Sequence, residues 1–298
     1  MFKKFLKWFG IVLGSLVGLL ALAAIVLYLI GSSKLNKKYD VPVEAISVPA
    51  DAHAVEHGKH LATIFMCTSC HTANLSGQVY FVVPGMVNIP TPNLTAGAGG
   101  AGATFSDQDF VRAIRHGVDP EGRALFIMPV KAFHNMSDAD MGAVIAYVRS
   151  LPPVDHQLPE VEVDPLGRLM MGAGMFPPFA ADQIDHTSPP PPAPAAGATA
   201  AYGQYLSHIC EECHGANLNG APFGPPGQEV PTPNLTPGGD LAGWSEQDFI
   251  TTLRTGTTPS GKSLKEEMPW KSFGQMTDDE LKALWMYIHS LPALPQGK

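Results

Sequence analysis

Basic residues are scarce in most of this chain. After residue 38 there are 13 Lys and Arg against 27 Asp and Glu. A body of that sign lacks the basic footprint that nucleic-acid binding needs and suits a basic or neutral partner. Charge of either sign is thin, at 15% of residues, while 45% are hydrophobic. With that much apolar surface the chain as a whole is not disordered. No run alternates apolar and polar residues convincingly enough to read as a strand. Nothing resembles a flavin, nicotinamide or phosphate site. Cysteine is confined to four positions, Cys67, Cys70, Cys210 and Cys213.

Proline (28) and glycine (30) are plentiful, which argues for long loops between short helices. The 298 residues are enough for about two domains. One long apolar run stands out. Phe9–Ile30 is uncharged and at 1.5 Å per residue spans about 33 Å, enough for a bilayer core. Its flanks carry Lys3, Lys4 and Lys7 on one side and Lys34, Lys37 and Lys38 on the other. The expectation is an uncleaved single-pass anchor. Ala21-Leu22-Ala23 would suit a signal peptidase, but the apolar run continues past it.

The body then repeats itself. Asn74-Leu75-Ser76-Gly77 matches Asn217-Leu218-Asn219-Gly220, and Pro90-Thr91-Pro92-Asn93-Leu94-Thr95 recurs at Pro231–Thr236. Met128-Pro129 matches Met268-Pro269, and Tyr147–Pro152 matches Tyr287–Pro292. A period of this length predicts two tandem domains. The expected organisation is an anchor over 1–38, one domain over 50–152, a Pro-rich acidic linker over 153–197 and a second domain over 198–296. Each unit shows three helical signals. They cover Ala54–His71 or Ala198–His214, then start at Ser106 or Ser245, and last at Ser137 or Thr277. Gly117 and Gly256 end the second. The expected fold class is all-α.

Both cysteine pairs have the form C-x-x-C-H: Cys67-Thr68-Ser69-Cys70-His71 and Cys210-Glu211-Glu212-Cys213-His214. Two thiols three positions apart share one face of a helical turn. They can add to the two vinyl groups of a porphyrin and leave the adjacent His under the iron. A bare C-x-x-C also suits zinc, a disulfide or a redox dithiol. Two copies, each followed by His and with no cysteine left over, point to two covalently attached c-type haems. Covalent haem attachment places the body on the extracytoplasmic side.

For the sixth ligand, Met128 and Met268 each precede Pro in a helix-poor stretch. They could present sulfur to iron or fill gaps in a core; recurrence of Met-Pro in both copies favours ligation. Met136 and Met276 are explained as helix staples. His53, His57, His60, His116 and His134 read as surface histidines. Arg115 and Arg254 match across the repeat and suit either haem propionates or helix C-termini. Trp244, Tyr147 and Tyr287 read as pocket lining.

These residues resemble class I cytochrome c, twice over. The resemblance implies small helical bundles around low-spin haem. It assigns Cys67, Cys70, His71 and Met128 to one haem and Cys210, Cys213, His214 and Met268 to the other. The Pro-Thr-Pro-Asn-Leu-Thr segments, the run Trp244–Phe249 and the Ser-Leu-Pro endings are similar to cytochrome subunits of membrane-bound bacterial alcohol and sugar dehydrogenases. Those subunits usually carry three haem domains; this chain has two. The main functional expectation is an electron carrier, not an enzyme, anchored in the inner membrane with its haem domains in the periplasm. It would serve respiratory or photosynthetic redox partners. A cytochrome subunit of a dehydrogenase or terminal oxidase complex is the alternative. A dihaem peroxidase or thiosulfate-oxidising enzyme is the third, and filled sixth positions argue against it.

Overall fold

A computed structural model describes residues 1–224 and 229–297. Its first element, α1 (Phe2–Leu35), is a single 34-residue helix, uninterrupted because no Pro falls within it. Its mean hydropathy reaches 2.7, and it is long and apolar enough to cross a membrane.

The first repeat unit follows as α2 (Ala52–Ile64), α3 (Cys67–His71), β1 (Gln78–Val83), β2 (Val87–Thr91), α4 (Ala101–Thr104), α5 (Asp107–His116), α6 (Val130–His134) and α7 (Asp138–Ser150). The connecting stretch holds β3 (Glu162–Val163), α8 (Pro165–Gly172) and a single 3₁₀ turn at Ala180–Asp182. The second unit is α9 (Ala200–His214), β4 (Pro222–Phe223), β5 (Val230–Pro231), α10 (Glu246–Thr255), α11 (Trp270–Phe273) and α12 (Asp278–Ser290).

The chain is mostly helical, as expected, but strands are present. β1, β2 and β3 form an antiparallel sheet, and β4 pairs with β5. The expectation of no strand fails for a physical reason. Val79–Val83 is a run of β-branched and aromatic residues, which favour strands, yet its register shifts between Val79 and Phe81. A bulge of this kind breaks the alternation that a sequence reading relies on.

Helix boundaries follow their caps. Ser106 and Ser245 close capping boxes with Asp109 and Asp248. The Phe105 and Phe110 rings stand 5.5 Å apart as the staple. Gly117 and Gly256 end α5 and α10 at φ 66° and 70°, a conformation that costs glycine least. The single helix expected over Ala54–His71 is instead two, because Met66 turns left-handed at φ 64°. The second copy continues unbroken through α9. Gly58 and Gly203 occupy the same place, each against the carbonyl of Ala143 or Ala283. Gly58 precedes Cys67 by two more residues than Gly203 precedes Cys210, and the extra pair forces the break.

Both units share one hydrophobic core, in which Leu61, Ile64, Met141 and Ile145 join Leu206, Ile209, Leu281 and Leu284. Polar pairs seal the junction with a pseudo-twofold pattern. His60 on α2 meets both oxygens of Glu280 on α12 at 2.8 and 2.9 Å. In the mirrored place, the Tyr205 hydroxyl on α9 donates to Asp140 on α7 at 2.5 Å. His57 Nε2 approaches Asp140 at 2.7 Å from its own unit.

Burial opposes ionisation of both acids, yet hydrogen bonds from His57 and Tyr205 hold Asp140 below the ordinary carboxylate range. His60 and the Thr277 N–H do the same for Glu280. The Asp140 hydrogen bond raises His57 against the pull of burial. Depressed carboxyls contribute stability above their ordinary pKa and lose it as pH falls. The raised His57 contributes fully below about 6.5 and loses its share as pH rises. The expected denaturation midpoint therefore falls below about pH 4 and declines more gently above about pH 6.5. Denaturant titrations across that span check both limbs.

Candidate haem-binding sites

Each C-x-x-C-H motif closes a helix, and the chain directly after it is held by the repeated Pro-Thr-Pro-Asn-Leu-Thr segment. His71 Nδ1 donates to the Pro92 carbonyl at 2.8 Å, and His214 Nδ1 donates to the Pro233 carbonyl at 2.8 Å. That bond fixes the tautomer and leaves each Nε2 lone pair free. Burial lowers the pKa of both imidazoles, which keeps them neutral as a metal ligand must be. Thr91 Oγ1 donates to the Cys70 carbonyl at 2.6 Å, and Thr232 Oγ1 to the Cys213 carbonyl at 2.8 Å.

The rest of the segment fastens the chain's exit. Asn93 Nδ2 donates to the Val154 carbonyl at 2.7 Å; Asn234 Nδ2 donates to that of Leu294 at 2.8 Å. Thr95 and Thr236 donate to those same Asn side chains at 2.9 and 2.8 Å. All four side chains are buried. Leu75 and Leu218 sit at φ 57° and 54° with their side chains buried. A branched residue in that region is strained, and burial of the Leu side chain offsets the cost.

No disulfide links the four cysteines. Burial pushes the Cys67 and Cys210 thiols up to about 12 and that of Cys213 to about 11. Buried, protonated thiols of this kind are poor redox dithiols. The two pairs stay in separate units, and among the described residues no group of three or more His, Cys, Asp or Glu is placed to hold a metal ion. Zinc binding by the cysteines thus finds no support in the geometry. Two thiols and one oriented, neutral imidazole per unit fit a covalent haem.

Met128 and Met268 are half-buried against the shared core, as are Cys67 and Cys210. Each Met-Pro leads directly into a short helix, with Pro129 and Pro269 as the N-caps of α6 and α11. Those helices face the opposite unit's motif. Glu212, inside the second motif, accepts from the Ala132 N–H of α6 at 3.1 Å. Ser69, inside the first, stands 3.5 Å from Ser272 of α11. Met136 and Met276 are buried at the helix starts, as their staple role requires. Tyr147 is buried, while Tyr287 and Trp244 pack half-buried on the core.

Several side chains take roles that their sequence context does not announce. His116 is buried rather than at the surface; its Nδ1 lies 3.1 Å from that of His186 in the connecting stretch. Burial and cationic neighbours lower His116 to about 4. His57 and His60 serve the junction. Arg115 and Arg254 lie in the last turns of α5 and α10, the helix C-terminal place expected of them, and each also reaches out of its own helix. Arg115 bonds the Met136 carbonyl at 3.0 Å and pairs with Asp138 at 2.8 Å. Arg254 bonds the Gly274 carbonyl and pairs with Asp278 at 2.9 Å. Arg115 Nε is buried with no partner among the described residues. Tyr80 carries no signal in the sequence; burial, then the neighbouring Cys70 thiol, pushes its hydroxyl up to about 12.

Comparison with known proteins agrees with this geometry. Over 277 residues the chain is 27% identical to the fructose dehydrogenase cytochrome subunit of Gluconobacter japonicus, covering 82% of this chain and 54% of the relative. It is 27% identical over 286 residues to the alcohol dehydrogenase (quinone) cytochrome c subunit of Gluconobacter oxydans, covering 84% and 57%. It is 28% identical over 276 residues to the gluconate 2-dehydrogenase cytochrome c subunit of Pantoea cypripedii, covering 80% and 60%. The chain thus spans little more than half the length of these relatives. The cytochrome c profile matches residues 55–152 and again 200–292, each stretch holding one C-x-x-C-H and one Met-Pro. By these two matches, over well more than half of its length, the chain belongs to the cytochrome c family.

Proposed function

We propose that this chain is the electron-transfer cytochrome subunit of a membrane-bound dehydrogenase. It takes electrons from a catalytic subunit and passes them on at the extracytoplasmic face of the membrane. One observation carries the reading: the same haem cradle is built twice in one body, in a chain whose relatives are named as cytochrome subunits of dehydrogenases. A free carrier needs the same cradles but gains nothing from that kinship. The subunit reading therefore replaces it.

Residues 1–38 serve as the anchor, 50–152 and 198–296 as the haem domains, and 153–197 as their connection. Cys67, Cys70, His71 and Met128 hold one haem; Cys210, Cys213, His214 and Met268 hold the other. Each haem supplies a one-electron ferric/ferrous couple. Pro92 and Pro233 orient the proximal imidazoles, and Thr91 and Thr232 lock the ends of the motifs. With both Met side chains as sixth ligands no coordination position is open to a substrate, so the chain carries electrons and catalyses nothing itself.

Exchange of Met268 for His is expected to shift one of two redox waves to lower potential, within the roughly 0.8 V range that axial ligands span. The other wave stays in place. Spectroelectrochemistry and electron paramagnetic resonance of the purified protein check this. Two unmoved waves would overturn the ligand assignment.

The subunit role is tested on native membranes solubilised in mild detergent. The chain is expected to migrate in fixed stoichiometry with a larger polypeptide, and an alcohol or sugar is expected to reduce its haem bands. Migration alone, with no dehydrogenase activity alongside, returns the reading to a free carrier.

A further inference from the structure

Helix α8 interrupts an otherwise irregular connection, and it lies on α1. Two glycines allow the helices to touch backbone to backbone. A Cβ on Gly31 would stand 1.8 Å from the Arg168 carbonyl oxygen; one on Gly172 would stand 1.8 Å from that of Leu27. Close approach through small residues is how helices associate in lipid. The less exposed positions of α1 are Ala24, Leu27, Gly31, Ser32 and Leu35, a helical stripe; its other residues are exposed.

The depth of this contact follows from α1 itself. Its run of large apolar residues ends at Ile30, so Ala24–Tyr28 lie within about 9 Å of the end of the apolar span. At that level a groove of about 320 Å³ is lined by Ala24, Ile25 and Tyr28 on α1 and by Pro165, Leu166 and Leu169 on α8. The cations go the other way. Arg168 bonds the Val163 carbonyl at 2.9 Å and Ser32 Oγ at 3.5 Å, and Lys34 Nζ donates to the Met171 carbonyl at 3.2 Å. The Arg168–Ser32 bond brings the guanidinium to a residue beyond the apolar run, as snorkelling side chains do, and Lys34 Nζ starts beyond that run as well. Leu166 and Met175 remain half exposed.

We infer that α8 is a second membrane element, an interfacial helix whose exposed apolar side chains are covered by lipid acyl chains. The inference rests on α1 spanning the bilayer. Helix α8 is then a strap that fixes the anchor to the first repeat unit. β3 precedes it and pairs with β2, and β2 pairs with β1. Gln78 on β1 and Thr91 on β2 both donate to the Cys70 carbonyl. This chain of contacts places the Cys67–His71 site on the bilayer side and leaves the Cys210–His214 site facing outward.

The test uses the full haem-loaded chain in phosphatidylcholine/phosphatidylglycerol vesicles that contain a lipid with a photoactivatable group on its acyl chain. After illumination, mass spectrometry locates labelled peptides. Label is expected on α1 and on peptides covering 165–176, at comparable levels, and not on α12, whose Met286 is an exposed apolar residue of the second unit. A Leu166→Glu/Leu169→Glu double variant is expected to keep its haem and its α1 label while losing label over 165–176. Label on α1 alone in the unaltered chain overturns the inference and leaves the anchor standing. Absence of label from α1 overturns the anchor itself. Label over 165–176 that appears only after a co-purifying subunit is stripped away assigns the face to that subunit and overturns the lipid contact.

Discussion

Replacing Cys210 and Cys213 with serine leaves a chain that carries one covalent haem instead of two. The two pairs sit in separate units, and each is the only thiol pair its unit has. Serine keeps the size of the side chain and cannot add to a vinyl group, so the loss is confined to one site. Helix α9 runs through its motif for 15 residues, is capped by Thr199 and packs on the shared core. It is expected to stay folded. The reciprocal change at Cys67 and Cys70 also halves the haem, and it costs more stability. There the motif is the five-residue helix α3, which starts from a left-handed Met66 and is not the continuation of a longer helix. Haem per polypeptide, measured as the pyridine complex against protein mass, is expected to fall to half in both variants. The urea midpoint is expected to fall further in the Cys67/Cys70 variant. Unchanged haem content in either would refute the two-site assignment.

Much of this site could be read from residue types. C-x-x-C-H names its own chemistry, and repetition told which neighbours matter. The helix starts at Ser106, Ser137, Ser245 and Thr277 were legible because a cap is a local interaction: donor and acceptor lie three residues apart. The Pro-Thr-Pro-Asn-Leu-Thr segment was visible as a repeat, but its work was not. Its partners, Cys70, Val154, Cys213 and Leu294, lie about 20 to 60 residues away, and separation of that order is set by tertiary packing alone. The β1 strand was hidden by its bulge. His60 reads as a surface residue in sequence because its partner, Glu280, stands 220 positions along the chain. In the connecting stretch the prolines read as a spacer, while Met170–Phe176 is too apolar for a free linker and reads as packed. Only the chain from about 188 to 197 behaves as one in lacking regular structure and packing; before it, β3, α8 and His186 are docked on the first unit or on α1.

The junction carries the second large expected effect. Thr277 caps α12 by a complete box, with Glu280 accepting its own N-cap N–H at 2.6 Å. Ser137 begins α7 in the same way, but its N3 acid, Asp140, is engaged by His57 and Tyr205 instead of by its own N-cap N–H. The missing bond is supplied from the other unit: Tyr205 Oη accepts the Ser137 N–H at 3.0 Å and donates onward to Asp140. One unit's last helix is therefore capped by the other unit's first. Tyr205→Phe deletes only that hydroxyl and leaves a buried N–H and a carboxylate short of a partner, a loss of about 1–3 kcal/mol. Glu280→Ala removes an almost fully buried carboxylate that holds His60, the Thr277 N–H and the α12 cap together. Its loss leaves both the Thr277 N–H and the His60 ring short of a partner, each a loss of about 1–3 kcal/mol, which makes it the more damaging change. Neither Tyr205 nor Glu280 belongs to a C-x-x-C-H motif or a Met-Pro pair, so haem content is expected to stay at two. The measurement is denaturant unfolding followed separately at each haem's absorbance. The unaltered chain is expected to lose both signals in one transition, because the two units share a core. Glu280→Ala is expected to lower the midpoint and part the two signals. A His60→Ala/Glu280→Ala cycle then gives the coupling across the junction. A coupling near zero, with one transition retained, would show that the apolar core alone holds the two cytochrome units together.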